Sequence, residues 1–380
     1  MGNCDSSNEN RSKLERSKFN GEYPFQSQSS CSSTSLPSFS SSYSNQKDAP
    51  INFKKHNSTE KINPLKNKQY LLSERIAKRE DITKKYKLSK TILGDGATSL
   101  VYIGENSSRQ KFAIKRIPKD KMVSRQNVLI TEAELCLNLN NKNIIKYYEI
   151  YEDINFINIV MELGDTDLFE FILNSPLGVI PEDLAIDMLI QIFEAIDYLH
   201  NVENIIHCDI KPENFVIKFD KNNGNKPILK LVDFGNARKK PNNKKKLFNF
   251  SGTKEYMAPE TIDNCGFNEK VDEWAAGVIM FNMLTGADPF SSNNDLEYKD
   301  NIKFKNIKFE YIKNEGLREL NKKLLNRFMA KRITAKEALK ELRQLKDNIN
   351  YNNNMFDGNI KNMKTITNSI SNKLSLMNMS

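Results

Sequence analysis

Eight residues, HCDIKPEN at His207–Asn214, constrain this chain more than any other stretch. They put a carboxylate (Asp209), an ammonium (Lys211) and an amide (Asn214) close together, between two segments patterned for regular structure. Upstream, PEDLAIDMLIQIFEAIDYLHNVENIIH opens on Pro181, a favoured helix-start residue. It repeats apolar residues at three- and four-residue spacing, the mark of a largely buried helix. Downstream, FVIKFDKNNGNKPILKLVDFG reads as a β-hairpin of two strands around a polar turn. By itself an eight-residue stretch of this kind is an ordinary loop. What decides its meaning is whether chemically related residues follow in order and at fixed spacing.

Composition bounds the possibilities. A chain of 380 residues can bury one large core or two lobes, and 38% apolar content leaves room for unstructured segments as well. No run of eighteen apolar residues occurs and the first thirty residues are polar, so neither a transmembrane helix nor a secretory signal is expected. The five cysteines, Cys4, Cys31, Cys136, Cys208 and Cys265, are odd in number and form no CxxC pair, which argues against a disulfide framework or zinc site and for a reducing, cytosolic setting. The net charge of +9 is dispersed among many acidic residues. With no RNP, zinc-finger or basic-zipper pattern, nucleic acid is not an expected partner. Attraction to an anionic membrane stays open.

HCDIKPEN resembles the catalytic loop of the eukaryotic protein kinases, whose pattern is H-R-D-x-x-x-x-N. The resemblance implies Asp209 as the carboxylate that accepts the proton of a substrate hydroxyl, and Asn214 as a magnesium-binding amide. Lys211 is the serine/threonine form of the loop and would steady the transferring phosphoryl group. One position departs from the pattern: Cys208 replaces the Arg.

Partners follow in family order. LGDGATSLV resembles the phosphate loop G-x-G-x-x-G-x-V, implying ATP contacts from Leu93, Gly94, Asp95, Gly96, Ala97, Thr98, Ser99, Leu100 and Val101; Ser99 stands in for the third glycine. In KFAIKRI, Lys115 falls on the phosphate-binding lysine, with Ala113 facing adenine and Glu132 as the acidic partner on the next helix. Met161 takes the gatekeeper place, Glu162 and Leu163 would present backbone groups to the adenine edge, and Val216 would close the site from below. Asp167 is the nearest acidic residue to the family's ribose contact, on a linker one residue short. DFG follows nineteen residues after Asn214, with Asp233 as the main magnesium ligand. Thr253 would bridge Asp209 and Lys211. Asp272 would brace the catalytic loop's backbone, and Arg332 would be the buried partner of Glu260 in APE.

The resemblance covers residues 86–345 and implies an α+β, two-lobed kinase fold, a small antiparallel β lobe with one helix above a larger helical lobe. The implied activity is ATP- and magnesium-dependent phosphorylation of Ser or Thr in proteins. LGDGATSLV, NIIKYYEIYED and RITAKEAL are most similar to the calcium/calmodulin-dependent and calcium-dependent kinase group, although no EF-hand pattern occurs. A pseudokinase scaffold is the rival reading, resting on Cys208 alone. Glu213, Asp167 and Glu170 point to basic residues upstream of the target hydroxyl.

The flanks read differently. MGNCDS fits the myristoylation pattern at Gly2, with Cys4 available for palmitoylation and Arg11, Lys13, Arg16 and Lys18 nearby, so residues 1–20 are expected to anchor the chain to the cytoplasmic face of a membrane. Residues 21–85, dense in Ser and Asn, are expected to form a disordered spacer, its final YLLSERIAKRED excepted as a short helix. Residues 346–380 form an Asn-rich tail. There Met363, Ile366, Ile370, Leu374 and Met377 share one helical face with lysines beside it, a place for calmodulin or another regulator.

Overall fold

The computed structural model describes residues 72–96, 99–120, 132–135, 137–241 and 245–351. In the small lobe, β1 (Lys87–Asp95), β2 (Leu100–Glu105), β3 (Lys111–Pro118), β4 (Tyr147–Glu152) and β5 (Phe156–Met161) form an antiparallel sheet in the order β1-β2-β3-β5-β4. Strands β3 and β5 are central and covered on both faces, which is why FAIKRI and INIVM carry near-continuous apolar runs instead of strict alternation. The register places Val101 opposite Lys115 and Ala113 opposite Met161. One face buries Ile114 and Val160 with Ile82, Tyr86, Phe112 and Tyr151. The other buries Ile117, Ile157 and Ile159 against Ala133 of α1, which is helical at 132–135 and 137–138.

The large lobe is helical: α2 (Leu168–Leu173), α3 (Glu182–Asn201), α4 (Pro259–Ile262), α5 (Lys270–Thr285), α6 (Asp295–Phe304), α7 (Glu315–Leu324) and α8 (335–351). Helix α3 packs one broad apolar face, whereas every residue of α5 from Val271 to Phe281 is buried, so α5 is a central post with no solvent side.

Two small sheets position the chemistry. β7 (Ile205–Ile206) pairs with β10 (Arg238–Lys239), and β8 (Phe215–Asp220) pairs with β9 (Lys226–Leu231) and β6 (Thr166–Asp167). The loop 207–214 runs from β7 to β8 and the DFG stretch from β9 to β10. Both ends of both loops are therefore fixed by the same two pairings, and the loops must lie side by side. This is the two-lobed α+β fold expected from the sequence.

Two boundaries differ from expectation. Residues 72–85 are not a spacer: Leu72, Ala77 and Ile82 are buried in the small lobe, and Lys78 bridges Tyr151. Nor is this stretch an α-helix, since it runs through turns to a 3-10 turn at Ile82–Lys84. Polar composition conceals it because only three of its side chains are fully buried. At the other end α8 continues past 345 to 351. Gly2, Cys4, Ala97, Thr98, the spacer up to 71 and the tail beyond 351 lie outside the described residues.

Candidate active site

Two of the three candidate groups of the 207–214 loop, Asp209 and Lys211, meet on one residue from another segment, and the third, Asn214, holds Asp209 from within the loop. Thr253 donates to Asp209 Oδ1 through both its amide (3.0 Å) and its hydroxyl (2.8 Å), and Lys211 Nζ donates to Thr253 Oγ1 at 3.0 Å. Asn214 Nδ2 donates to the Asp209 carbonyl at 2.8 Å. Asn236, which the sequence reading missed, approaches Asp209 Oδ2 at 3.4 Å. Asp209 is thus oriented by donors on three sides, the arrangement a proton acceptor needs to be held in one rotamer.

Across the cleft, Lys115 Nζ lies 2.7 Å from Glu132 Oε1 and 2.8 Å from Asp233 Oδ1. Burial works against the lysine charge, but the two carboxylates outweigh it and hold its pKa above the ordinary lysine value. The Lys115 ammonium in turn draws Asp233 down to about 2, so this carboxylate is ionised at any physiological pH. Asp233 and Cys208, near the starts of their loops, both have left-handed backbone, with φ of 65° and 64°. Such conformations cost on the order of 1–3 kcal/mol each and persist where neighbours over-determine them.

The neighbour for Cys208 is Asp272 of α5. Its carboxylate accepts from the amides of His207 (2.8 Å) and Cys208 (2.9 Å) and contacts His200 Nε2 at 2.8 Å. His200, buried at the end of α3, also lies 3.4 Å from Glu273. Burial opposes its charge, yet Glu273 and Asp272 prevail and push its pKa up to about 10. An unfolded histidine titrates near 6.5. Charged His200 therefore stabilises the fold fully below that pH, and the contribution drains away as pH rises through about 10. The thermal midpoint is expected to fall between pH 7 and pH 10, and His200→Gln to flatten that part of the profile; an identical slope in the variant would show that His200 carries no charge.

An apolar cluster bridges the two sheets: Ala113, Ile145 and Met161 form it, with Val101, Leu163, Val216 and Val232 packed against them. Glu162 commits its amide to the Lys146 carbonyl (2.8 Å) and its side chain to Lys218 and Lys230, so its own carbonyl is the group it can offer to a planar base. Gly164 must be glycine, because a Cβ there would stand 2.9 Å from Val216 Cβ. Gly94 pairs with Val101, Gly96 and Ser99 exchange backbone hydrogen bonds, Asp95 and Leu100 close the hairpin, and Leu93 is half exposed. Asp167 caps α2, its Oδ1 accepting from the Glu170 amide at 2.8 Å.

Magnesium needs hard oxygen donors and keeps much of its shell for water and phosphate. Asp233 is anionic, and Asn214 spends its Nδ2 on Asp209, leaving its amide oxygen as the free donor type. Among the described residues no group of three or more His, Cys, Asp or Glu could hold a metal alone. The pair therefore fits a magnesium ion that arrives with nucleotide phosphates.

The segment after DFG is held by apolar contacts between residues distant in sequence, which no local pattern signals. Leu247 and Phe267 exchange two backbone hydrogen bonds of 2.8 Å, and Phe250 meets Phe267 edge-on at 5.2 Å. Both join the cluster that buries Cys208 and Trp274. Gly252 lets this segment cross the catalytic loop, since a Cβ would lie 2.5 Å from the Cys208 carbonyl.

Comparison with known proteins agrees with this geometry. The model of the protein kinase domain family matches residues 86–342. The chain is 34% identical over 230 residues to serine/threonine-protein kinase dkf-2 of Caenorhabditis briggsae, covering 59% of this chain and 19% of that protein. It is 33% identical over 214 residues to serine/threonine-protein kinase DCLK3 of Mus musculus (56% and 26%), and 37% identical over 216 residues to DCLK1 of Rattus norvegicus (56% and 48%). The matched region thus spans less than half the length of each of these relatives. With its family match extending over most of the chain and the fold and cleft described above, the chain belongs to the protein kinase family.

Proposed function

We propose that the chain is an active protein serine/threonine kinase that uses magnesium-bound ATP. The observation that carries this reading is the coexistence of two assembled sets: Lys115 paired with both Glu132 and Asp233, and Asp209 linked through Thr253 to Lys211. A scaffold without turnover has no need of both. The apolar cluster around Ala113 and Met161 faces the adenine, Lys115 holds the phosphates, Asp209 orients the hydroxyl and receives its proton, and Lys211 offsets charge on the moving phosphoryl group. Bound magnesium, held by Asp233 and Asn214, would supply neutralisation of phosphate charge. Glu213, Glu255 and Asp288 line the cleft beside Lys211 and Thr253, which favours protein substrates with basic residues near the target. A Ser/Thr/Tyr peptide library with magnesium and ATP, with and without calcium/calmodulin, tests this: label is expected on Ser or Thr, biased toward basic sequences. Label confined to Tyr, or none, would overturn it. The calcium/calmodulin-group reading rests on LGDGATSLV and RITAKEAL, and activation by calmodulin through residues 361–380 is its expected consequence.

Activation-loop phosphorylation is not required in this reading. Cys208 cannot grip a phosphate, FGNARKKPNNKKKLFNF between Asp233 and Ser251 contains no Ser, Thr or Tyr, and Leu247 and Phe250 already anchor the segment by burial. Phosphatase-treated protein and the Ser251→Ala variant are both expected to keep most of their activity. Loss of activity on phosphatase treatment would contradict this.

The same reading places the protein on the cytoplasmic side of a membrane through acylation at Gly2 and Cys4. One acyl chain binds only marginally, so the second signal matters. Gly2→Ala is expected to move the protein into the soluble fraction; unchanged fractionation would sink the anchor.

A further inference from the structure

Residues 72–85 precede the family match, yet they are built into the small lobe at its weakest margin. Strand β4 is an edge strand, with backbone groups that require a partner or water. Lys78 covers that edge in parallel: its amide donates to Ile150 O, and the Glu152 amide donates to Lys78 O, both at 2.9 Å.

Charge fixes the segment at the same place. Glu152 has no exposure, and a buried carboxylate is costly unless paired and hydrogen-bonded. Its partners include Lys119 Nζ at 2.8 Å and, from this segment, the Leu72 amide at 3.0 Å and the Arg79 guanidinium, which also reaches the Leu72 carbonyl. Glu149, further along β4, collects Lys78, Lys85 and the hydroxyls of Tyr86 and Tyr151.

The apolar side leads to the active site. Leu72 and Ala77, each 2% exposed, enter the cluster formed by Ile117, Ile150, Ile157, Ile159 and Ala133. Ala133 is fully buried and directly follows Glu132, whose carboxylate is the partner of Lys115. Helix α1 is no part of the sheet, so side-chain packing beneath it must set where Glu132 stands.

We propose that residues 72–80 are a positioning strap: by filling the cluster under Ala133 and closing the edge of β4, they hold Glu132 within ion-pair distance of Lys115. The strap rests on the kinase reading for its consequence in turnover but not for its structural effect. Misplacing a catalytic constellation by about 1 Å can cost on the order of 100-fold in rate, so loosening the strap acts on ATP use while the peptide cleft, built by the large lobe, is untouched.

The test uses the full-length chain. Leu72→Ser is expected to lower kcat/KM for ATP at least tenfold with the KM for peptide unchanged, and Leu72→Met to restore it. Hydrogen exchange over 132–138 should accelerate in Leu72→Ser while that of α5 stays as in wild type, and fluorescence of the single tryptophan, Trp274, should report an intact large lobe. If Leu72→Ser does not fold, Arg79→Ala loosens the same segment with the apolar cluster intact and is read the same way. Unchanged exchange over 132–138, or a KM for peptide that rises with the loss, would overturn the proposal. An inactive wild-type chain would sink the kinase reading, and the exchange comparison would still decide the strap.

Discussion

Asp209→Asn is expected to lower kcat by about 10²–10⁴-fold, the usual scale for removing a positioned proton acceptor, while ATP still binds with nearly wild-type affinity. The separation follows from the hydrogen bonds. Asn keeps an oxygen where Thr253 donates twice to Oδ1, so the Thr253–Lys211 link survives. The loss falls on Oδ2, where the new NH₂ would face the amide groups of Asn214 and Asn236, each 3.4 Å away, and could accept no proton. In the proposed function the nucleotide contacts come from other elements, chiefly the apolar cluster around Ala113 and Met161 and the ammonium of Lys115. Stopped-flow nucleotide binding alongside steady-state peptide phosphorylation checks both halves. A kcat within tenfold of wild type would mean that Asp209 is not the acceptor.

Arg332→Ala is expected to cost about 3–5 kcal/mol in folding stability, the range for breaking a buried ion pair by removing one partner. The Arg332 side chain is fully buried. It meets Glu260 in a two-pronged contact of 2.7 and 3.0 Å, donates to the carbonyls of Lys270 (2.7 Å) and Asn326 (3.1 Å), and lies over the Trp274 ring at 5.0 Å. Truncation strands Glu260 in the interior and releases the segment after Thr253 from the start of α5. Lysine cannot reproduce the planar fork, so Arg332→Lys should recover little. Urea unfolding followed by Trp274 fluorescence measures the effect; a loss under 1 kcal/mol would show that the pair is idle. The paired change Glu260→Gln with Arg332→Met should come closer to wild type than either single variant, because no charge is then left alone.

Much of the cleft was legible because its residues obey fixed spacing within single segments. HCDIKPEN, VDFG and GTKEYMAPE each carry their chemistry in a few consecutive residues, and the periodicity around them sets the helices and strands that hold them. What stayed hidden depends on contacts between distant segments. Asn236 reaches Asp209 only because β7–β10 and β8–β9 press two loops together. His200 at the end of a helix reads as an ordinary polar residue until Asp272 and Glu273 arrive from another helix. The capping of α2 by Asp167 likewise depends on where the helix begins, which position along the linker alone does not reveal. Residues 72–85 read as spacer because backbone pairing to an edge and three buried side chains leave almost no compositional mark.

The central claim is that the assembled cleft turns over. The most direct measurement is single-turnover transfer of the γ-phosphoryl group from magnesium-ATP to a serine peptide with basic flanks, using phosphatase-treated full-length protein beside Asp209→Asn. Transfer by the wild-type chain at a rate at least 100-fold above the variant, with equal ATP binding in both, is the predicted result. Equal ATP binding with no transfer by either protein would contradict it and leave a nucleotide-binding scaffold in its place.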